Sequence, residues 1–109
     1  MSAQIMDSNT TSAAVPTKSV LKLIVNNHAG VMSHVCGLFS RRSYNLEGIM
    51  VMPIASEQGA RSCIWLLLDE KEKLPQIIQQ TQKLVDVLSI ERHPLSGSVF
   101  EKTNDYFTA

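Results

Sequence analysis

Residues Asn26 to Pro53 read NNHAGVMSHVCGLFSRRSYNLEGIMVMP. The first five, Asn26 to Gly30, are types that tolerate positive φ and suit the exit from a strand. Val31, Val35, Leu38 and Phe39 then recur at i, i+4, i+7 and i+8, which predicts a helix from Val31 to Arg42 with one apolar stripe. Ser33, His34, Ser40 and Arg41 fall mostly off that stripe. Arg41 and Arg42 close the last turn, where cations complement the helix dipole. Gly37 costs about 1 kcal/mol against Ala in a helix interior, so close packing against a sheet is expected there. Ser43-Tyr44-Asn45 is an exit turn, and Leu46 to Ile54 is the next strand. Alternation puts Leu46, Gly48, Met50 and Met52 on one face, with Glu47, Ile49 and Val51 on the other.

Working outward, Val20 to Val25 (VLKLIV) is short, β-branched and leucine-rich, a strand whose only polar residue is Lys22. Ala55 to Ala60 is a hairpin-type loop. The strand Arg61 to Asp69 contains CIWLLL, too continuously apolar for a sheet exposed on one side. A second helix runs from Leu74 to Leu84, with Pro75 in its first turn. Its apolar face carries Leu74, Ile77, Ile78, Thr81 and Leu84. Asp86 to Arg92 is a fourth strand, ended by Pro94 and Ser96-Gly97-Ser98. The order β-α-β-β-α-β predicts an α+β fold: a ferredoxin-like plait, four antiparallel strands with both helices on one face. The expected organisation is a flexible arm over 1–18, one domain over 19–95 and a tail over 96–109. In the tail Phe100, Tyr106 and Phe107 are too widely spaced to form a face alone. Two helices cover one side of the sheet, yet the strands are apolar on both, so self-association or a protein partner is implied.

With a formal net charge of zero, nothing electrostatic in the composition argues for nucleic acid or an anionic membrane. Cys36 and Cys63 lie in apolar segments without CxxC spacing and read as buried free thiols in a reducing compartment. The longest apolar run, Cys63 to Leu68, is far short of the roughly 20 residues of a membrane span. Met1 to Lys18 lacks the basic start and apolar core of a signal peptide, so the cytoplasm is the expected location. His28, His34 and His93 form no ligand pair with each other or with Cys36, and no metal site is expected. Glycine is too sparse for a phosphate fingerprint. The plait is shared with RNA-recognition modules, but the central strands offer only Trp65 for stacking. An acylphosphatase-like enzyme would need an arginine in the loop Asn26 to Gly30, which has none. The remaining candidate is that turn. A helix start presents free N–H groups to a carboxylate, Gly30 leaves room, and Asn27 can accept from an ammonium and donate to a carboxylate. Val31, Met32 and Leu46 would line an apolar end. On local physics alone, Asn27 and Gly30 shaping a turn and nothing more is the more economical reading.

The run NNHAGVMSHVCGLFSRRSYNLEGIMVMPI resembles the ACT domain of the small regulatory subunits of acetolactate synthase (acetohydroxyacid synthase). That family has an N-x-x-G turn, here Asn27 to Gly30. A helix of the form V-x-GLFSRR follows, here Val35 to Arg42, and then Tyr44-Asn45. KLVDVLSIER, Lys83 to Arg92, is similar as well. The likeness spans roughly Val20 to Pro94, and NHxGVM, HVCGLF and the short chain look most like the isozyme I branch. The resemblance implies a non-catalytic homodimer whose sheets join side by side. A branched-chain amino acid, valine, would bind between protomers, and a large catalytic subunit would be activated and feedback-inhibited. It implies ligand contacts from Asn27, His28, Ala29, Gly30, Val31 and Met32 of one protomer, with Asn45 and Leu46 from the other. Thiamine diphosphate, FAD and magnesium are expected on the large subunit and none in this chain. The alternative is an ACT-type amino-acid sensor for a different enzyme. Ser43 stands where many relatives carry Gly, and Ala29 where a close variant has Pro.

Overall fold

The computed structural model of the protein describes residues 18–70 and 72–108. The arm expected over 1–18 lies outside them except for Lys18, whose Nζ is 2.8 Å from Glu47 Oε1. The elements are β1 (Ser19–Asn26), α1 (Val31–Arg41), β2 (Leu46–Pro53), β3 (Arg61–Leu68), α2 (Leu74–Gln82), β4 (Val87–His93) and a short α3 (Val99–Lys102). The strands pair antiparallel in the order β2-β3-β1-β4. This is the ferredoxin-like plait that the sequence predicts.

The core lies between the sheet and the two long helices. Leu21, Leu23 and Val25 of β1 and Ile64, Leu66 and Leu68 of β3 face Val31, Val35, Leu38 and Phe39 of α1, and Leu74 and Ile77 of α2. The apolar stripe of α1 is therefore the buried one. Thr81 is fully buried on α2, and its Oγ1 donates to the Ile77 carbonyl at 2.7 Å, so no polar atom is stranded there.

α1 ends in a Schellman motif. Tyr44 N–H donates to the Phe39 carbonyl at 3.0 Å and Ser43 N–H to the Ser40 carbonyl at 3.2 Å. The Phe39 and Tyr44 rings meet edge to face at 5.5 Å, the apolar contact that accompanies this cap. Ser43 itself sits at φ 55°, the left-handed position that glycine fills best.

Three expectations are corrected, and a fourth feature was not expected. Leu46 does not share a face with Gly48, Met50 and Met52. The register steps from Leu46↔Leu68 to Gly48↔Leu67, a bulge that inserts one residue and reverses the alternation. Leu46, Ile49 and Val51 therefore oppose Leu68, Leu66 and Ile64 on the helix side, and Gly48, Met50 and Met52 lie on the other. Second, Cys36 is exposed, because it falls just off the α1 stripe, and Cys63 is half-buried beside Met52 and Ile24 on the outer sheet face. Third, Gly37 does not pack on the sheet; a Cβ there would meet only Arg41 Nη1 of its own helix. Fourth, the close approach is at Gly48, where a Cβ would lie 2.9 Å from the Phe100 ring.

Phe100 thus lays α3 on the outer sheet face, beside a hollow lined in part by Trp65, His93 and Val99. Trp65 is also met by His93, ring centroids 5.2 Å apart, and by Lys22 Nζ at 5.6 Å from its centroid. Gly48→Leu is expected to displace Phe100 and α3, wetting Trp65 and shifting its fluorescence to the red; unchanged emission would contradict this packing. Ser43→Gly is expected to raise stability in urea by about 0.5–1 kcal/mol, by relieving the left-handed serine against a more flexible unfolded chain.

Candidate functional site

The turn between β1 and α1 is tied down from two sides. On one side, Asn27 N–H donates to the Ala60 carbonyl at 3.0 Å and Asn27 Nδ2 to the Gly59 carbonyl at 2.8 Å. On the other side stands Asp86, buried at the entry to β4. Its carbonyl accepts from Asn26 N–H at 3.0 Å, and its Oδ1 lies 2.7 Å from His28 Nε2. His34 Nδ1 is 3.7 Å from its Oδ2.

His28 Nδ1 lies 2.7 Å from the Ala29 carbonyl. Both neighbours of the ring accept only, so these contacts favour the imidazolium form, which donates from both nitrogens. The Ala29 carbonyl and then the Asp86 carboxylate raise the His28 pKa above its ordinary value. The same pairing, led by His28, lowers that of Asp86.

Gly30 caps the start of α1 at φ 93°, and no side chain caps it. Val31 N–H reaches the His28 carbonyl at 3.3 Å, and His34 N–H closes the first helical turn onto the Gly30 carbonyl at 3.0 Å. The intervening N–H groups of Met32 and Ser33 have no intrahelical acceptor by helix geometry. Asn27, His28, Ala29 and Gly30 are exposed beside them. The arrangement offers an anion the positive end of a helix, two N–H donors and an imidazolium within one short turn.

Six of the eight residues singled out in the sequence, Asn27 to Met32, thus form one continuous surface. Two details differ from expectation. One of the two Asn27 amide N–H groups is committed to Gly59, which fixes the side chain and leaves its oxygen and second N–H toward the turn's surroundings. The Val31 side chain points into the core, 4% exposed, so only its backbone faces the turn, and Met32 alone supplies half-buried apolar surface there. Asn45 and Leu46 stand elsewhere. They follow the far end of α1, whose 11 residues span about 16 Å. Asn45 N–H donates to Glu70 Oε2 at 2.9 Å, and Leu46 packs against the core edge. A single chain does not bring the two groups together. Asp86, Gly59 and Ala60 were not foreseen. The signal for Asp86 was its place in LVDVLSI, an acid with apolar neighbours that needs a partner.

Comparison with known proteins gives one family. Residues 21–89 match the model described as "AHAS small subunit-like ACT domain". The chain is 44% identical over 88 residues to the acetolactate synthase isozyme 1 small subunit of Escherichia coli (strain K12), covering 81% of this chain and 90% of that one. It is 41% identical over 73 residues to the isozyme 3 small subunit of the same strain, 67% of this chain but 44% of that longer one. Among solved structures, the acetolactate synthase small subunit from Thermotoga maritima matches at TM-score 0.64 and 32% identity, covering 72% of this chain and 49% of that chain.

The raised His28 pKa contributes stability fully below its ordinary 6.5, lost as pH rises through the raised value. The lowered Asp86 pKa contributes fully above its ordinary 3.8, lost as pH falls through the lowered value. The turn is therefore held hardest between those ordinary values. Asp86→Asn is expected to bring the His28 midpoint, read by NMR titration of the ring, down toward 6.5. An unshifted midpoint would show that Asp86 does not hold the ring.

Proposed function

The chain belongs to the acetolactate synthase small-subunit family, with an ACT domain as its folded unit, and on that premise we propose that it is the regulatory subunit of an acetolactate synthase. It binds a branched-chain amino acid, valine foremost, and transmits that binding to a large catalytic subunit, in feedback control of branched-chain amino-acid synthesis. The uncapped start of α1, on a turn held by Asp86 and Gly59, is the observation that carries this reading. The ligand carboxylate sits on the N–H groups after Gly30 with the His28 imidazolium alongside. Asn27 Oδ1 accepts from the ammonium, and Met32 meets the branched side chain.

A homodimer accounts for Asn45 and Leu46. β1 and β2 both run antiparallel to β3, so the turn after β1 lies at the same end of the sheet as Met52 and Pro53. β2 is an edge strand, with Ile49 38%, Val51 37% and Met52 69% exposed. Two-fold antiparallel pairing of β2 edges sets the start of one β2 against the end of the other. Asn45 and Leu46 of one protomer then approach the Asn27 to Met32 turn of its partner and close the site. It also pairs the backbone of an apolar edge.

On this reading thiamine diphosphate, FAD and magnesium belong to the large subunit, the small chain carries no catalytic group, and both work in the cytoplasm. The ligand acts on the large subunit by no more than its differential affinity for the two states.

Calorimetry tests the site. Valine is expected to bind the wild-type dimer, with leucine and isoleucine weaker by no more than about 1–3 kcal/mol, the range one methylene supplies. Asn27→Ala is expected to weaken valine about tenfold, near 1.4 kcal/mol. Equal affinities would remove Asn27 from the site, and no heat with any of the three would sink the ligand assignment.

A further inference from the structure

The helix layer carries a second concavity, remote from the turn. A groove of about 620 Å³ runs between the C-terminal half of α1 and the length of α2. Four cations line it: Arg41 and Arg42 from the end of α1, and Lys73 and Lys83 flanking α2. Among the described residues, no carboxylate lines it. In a chain with zero formal charge, four of its ten Lys and Arg residues therefore share one acid-free groove. Lys73 has a loose partner outside it, Glu70 Oε2 at 3.9 Å. Among the described residues, Arg41, Arg42 and Lys83 form no ion pair.

A second observation concerns the wall of the same groove. Tyr44 lines it and is only 8% exposed, and its hydroxyl is buried without a hydrogen-bond partner. That hydroxyl is buried out of a ligand's reach, so Tyr44 serves the groove as apolar wall. Leu38 and Leu84 add apolar surface beside it.

The distribution of charge says what shape of anion fits. Lys73, Gln76, Gln80 and Lys83 fall at i, i+3, i+7 and i+10, one stripe about 15 Å long at the rise of a helix. A compact anion such as phosphate meets one end of that stripe and leaves the other cation unused. An acidic polypeptide segment meets both ends, lays an apolar side chain on Leu38, Tyr44 and Leu84, and bonds its polar groups to the glutamine amides.

We propose that the α1–α2 groove receives an acidic segment of the large catalytic subunit, its carboxylates on Arg41, Arg42, Lys73 and Lys83. This rests on the reading of the chain as a regulatory subunit. It would give α1 a double role: its first turn holds the amino acid, and its last turn meets the catalytic partner.

The test uses the full chain, the acetolactate synthase large subunit of the same organism, and the double variant Arg42→Gln/Lys83→Gln, both exposed positions. Wild type is expected to bind the large subunit with an affinity that falls as salt rises. The double variant is expected to bind at least tenfold more weakly, with a flatter salt dependence, while its valine affinity stays that of wild type. Equal large-subunit affinity for wild type and double variant overturns the groove proposal and leaves the regulatory reading standing. No complex with wild type overturns both. Saturable pyrophosphate binding that the double variant loses, with large-subunit affinity unchanged, would make the groove a small-anion site and also overturn the proposal.

Discussion

One buried carboxylate governs the approach to α1. Asp86 takes the His28 ring on its side chain and the Asn26 N–H on its carbonyl, which joins the loop before β4 to the turn after β1. The turn needs such an anchor because Gly30 offers no capping side chain and its φ of 93° is a conformation an unrestrained chain leaves easily. Asn27, bonded to Gly59 and Ala60, fixes the opposite side. The turn is rigid, and the N–H groups at its tip stay without a cap. A Ser or Asp in place of Gly30 would be strained at that φ, so glycine both permits the turn and leaves its N–H donors without a side-chain cap.

The sheet is incomplete in a directed way. The bulge between Leu46 and Gly48 turns Ile49 and Val51 toward the helix side at an edge where no helix shields them fully. On the other face the same bulge places Gly48 where Phe100 settles, so the chain's own α3 covers part of that surface. The outer face is closed in part by the chain itself, while the β2 edge is left unpaired. In the proposed homodimer, side-by-side pairing at that edge would bring the start of β2 to the partner's turn and make assembly and amino-acid binding parts of one geometry.

The plait was legible because its elements are strongly periodic. The α1 stripe, the apolar CIWLLL strand and the Leu74 to Leu84 face each name their buried side. The Asn27 to Gly30 turn was legible through residue types with special φ. What the sequence did not reveal has physical reasons. A bulge leaves no mark in an alternating run such as LEGIMVMP, so Leu46 was placed on the wrong face. Gly37 and Gly48 look alike in sequence, yet Gly37 faces only Arg41 of its own helix, whereas Gly48 meets Phe100, about 50 residues away. Asp86 looked like the first residue of a strand, because its partners lie in the turn it holds. Asn45 and Leu46 are assigned to the neighbouring protomer through resemblance alone, since no local signal says that two chains share a site.

The central claim is that one amino acid is held jointly by the helix start of one protomer and the β2 start of the other. Amide chemical shifts during a valine titration test it most directly. The amides of Gly30, Val31 and Met32 are expected to move together with those of Asn45 and Leu46, along a single saturation curve. Shifts confined to one of these groups, or centred elsewhere on the fold, would contradict the shared site.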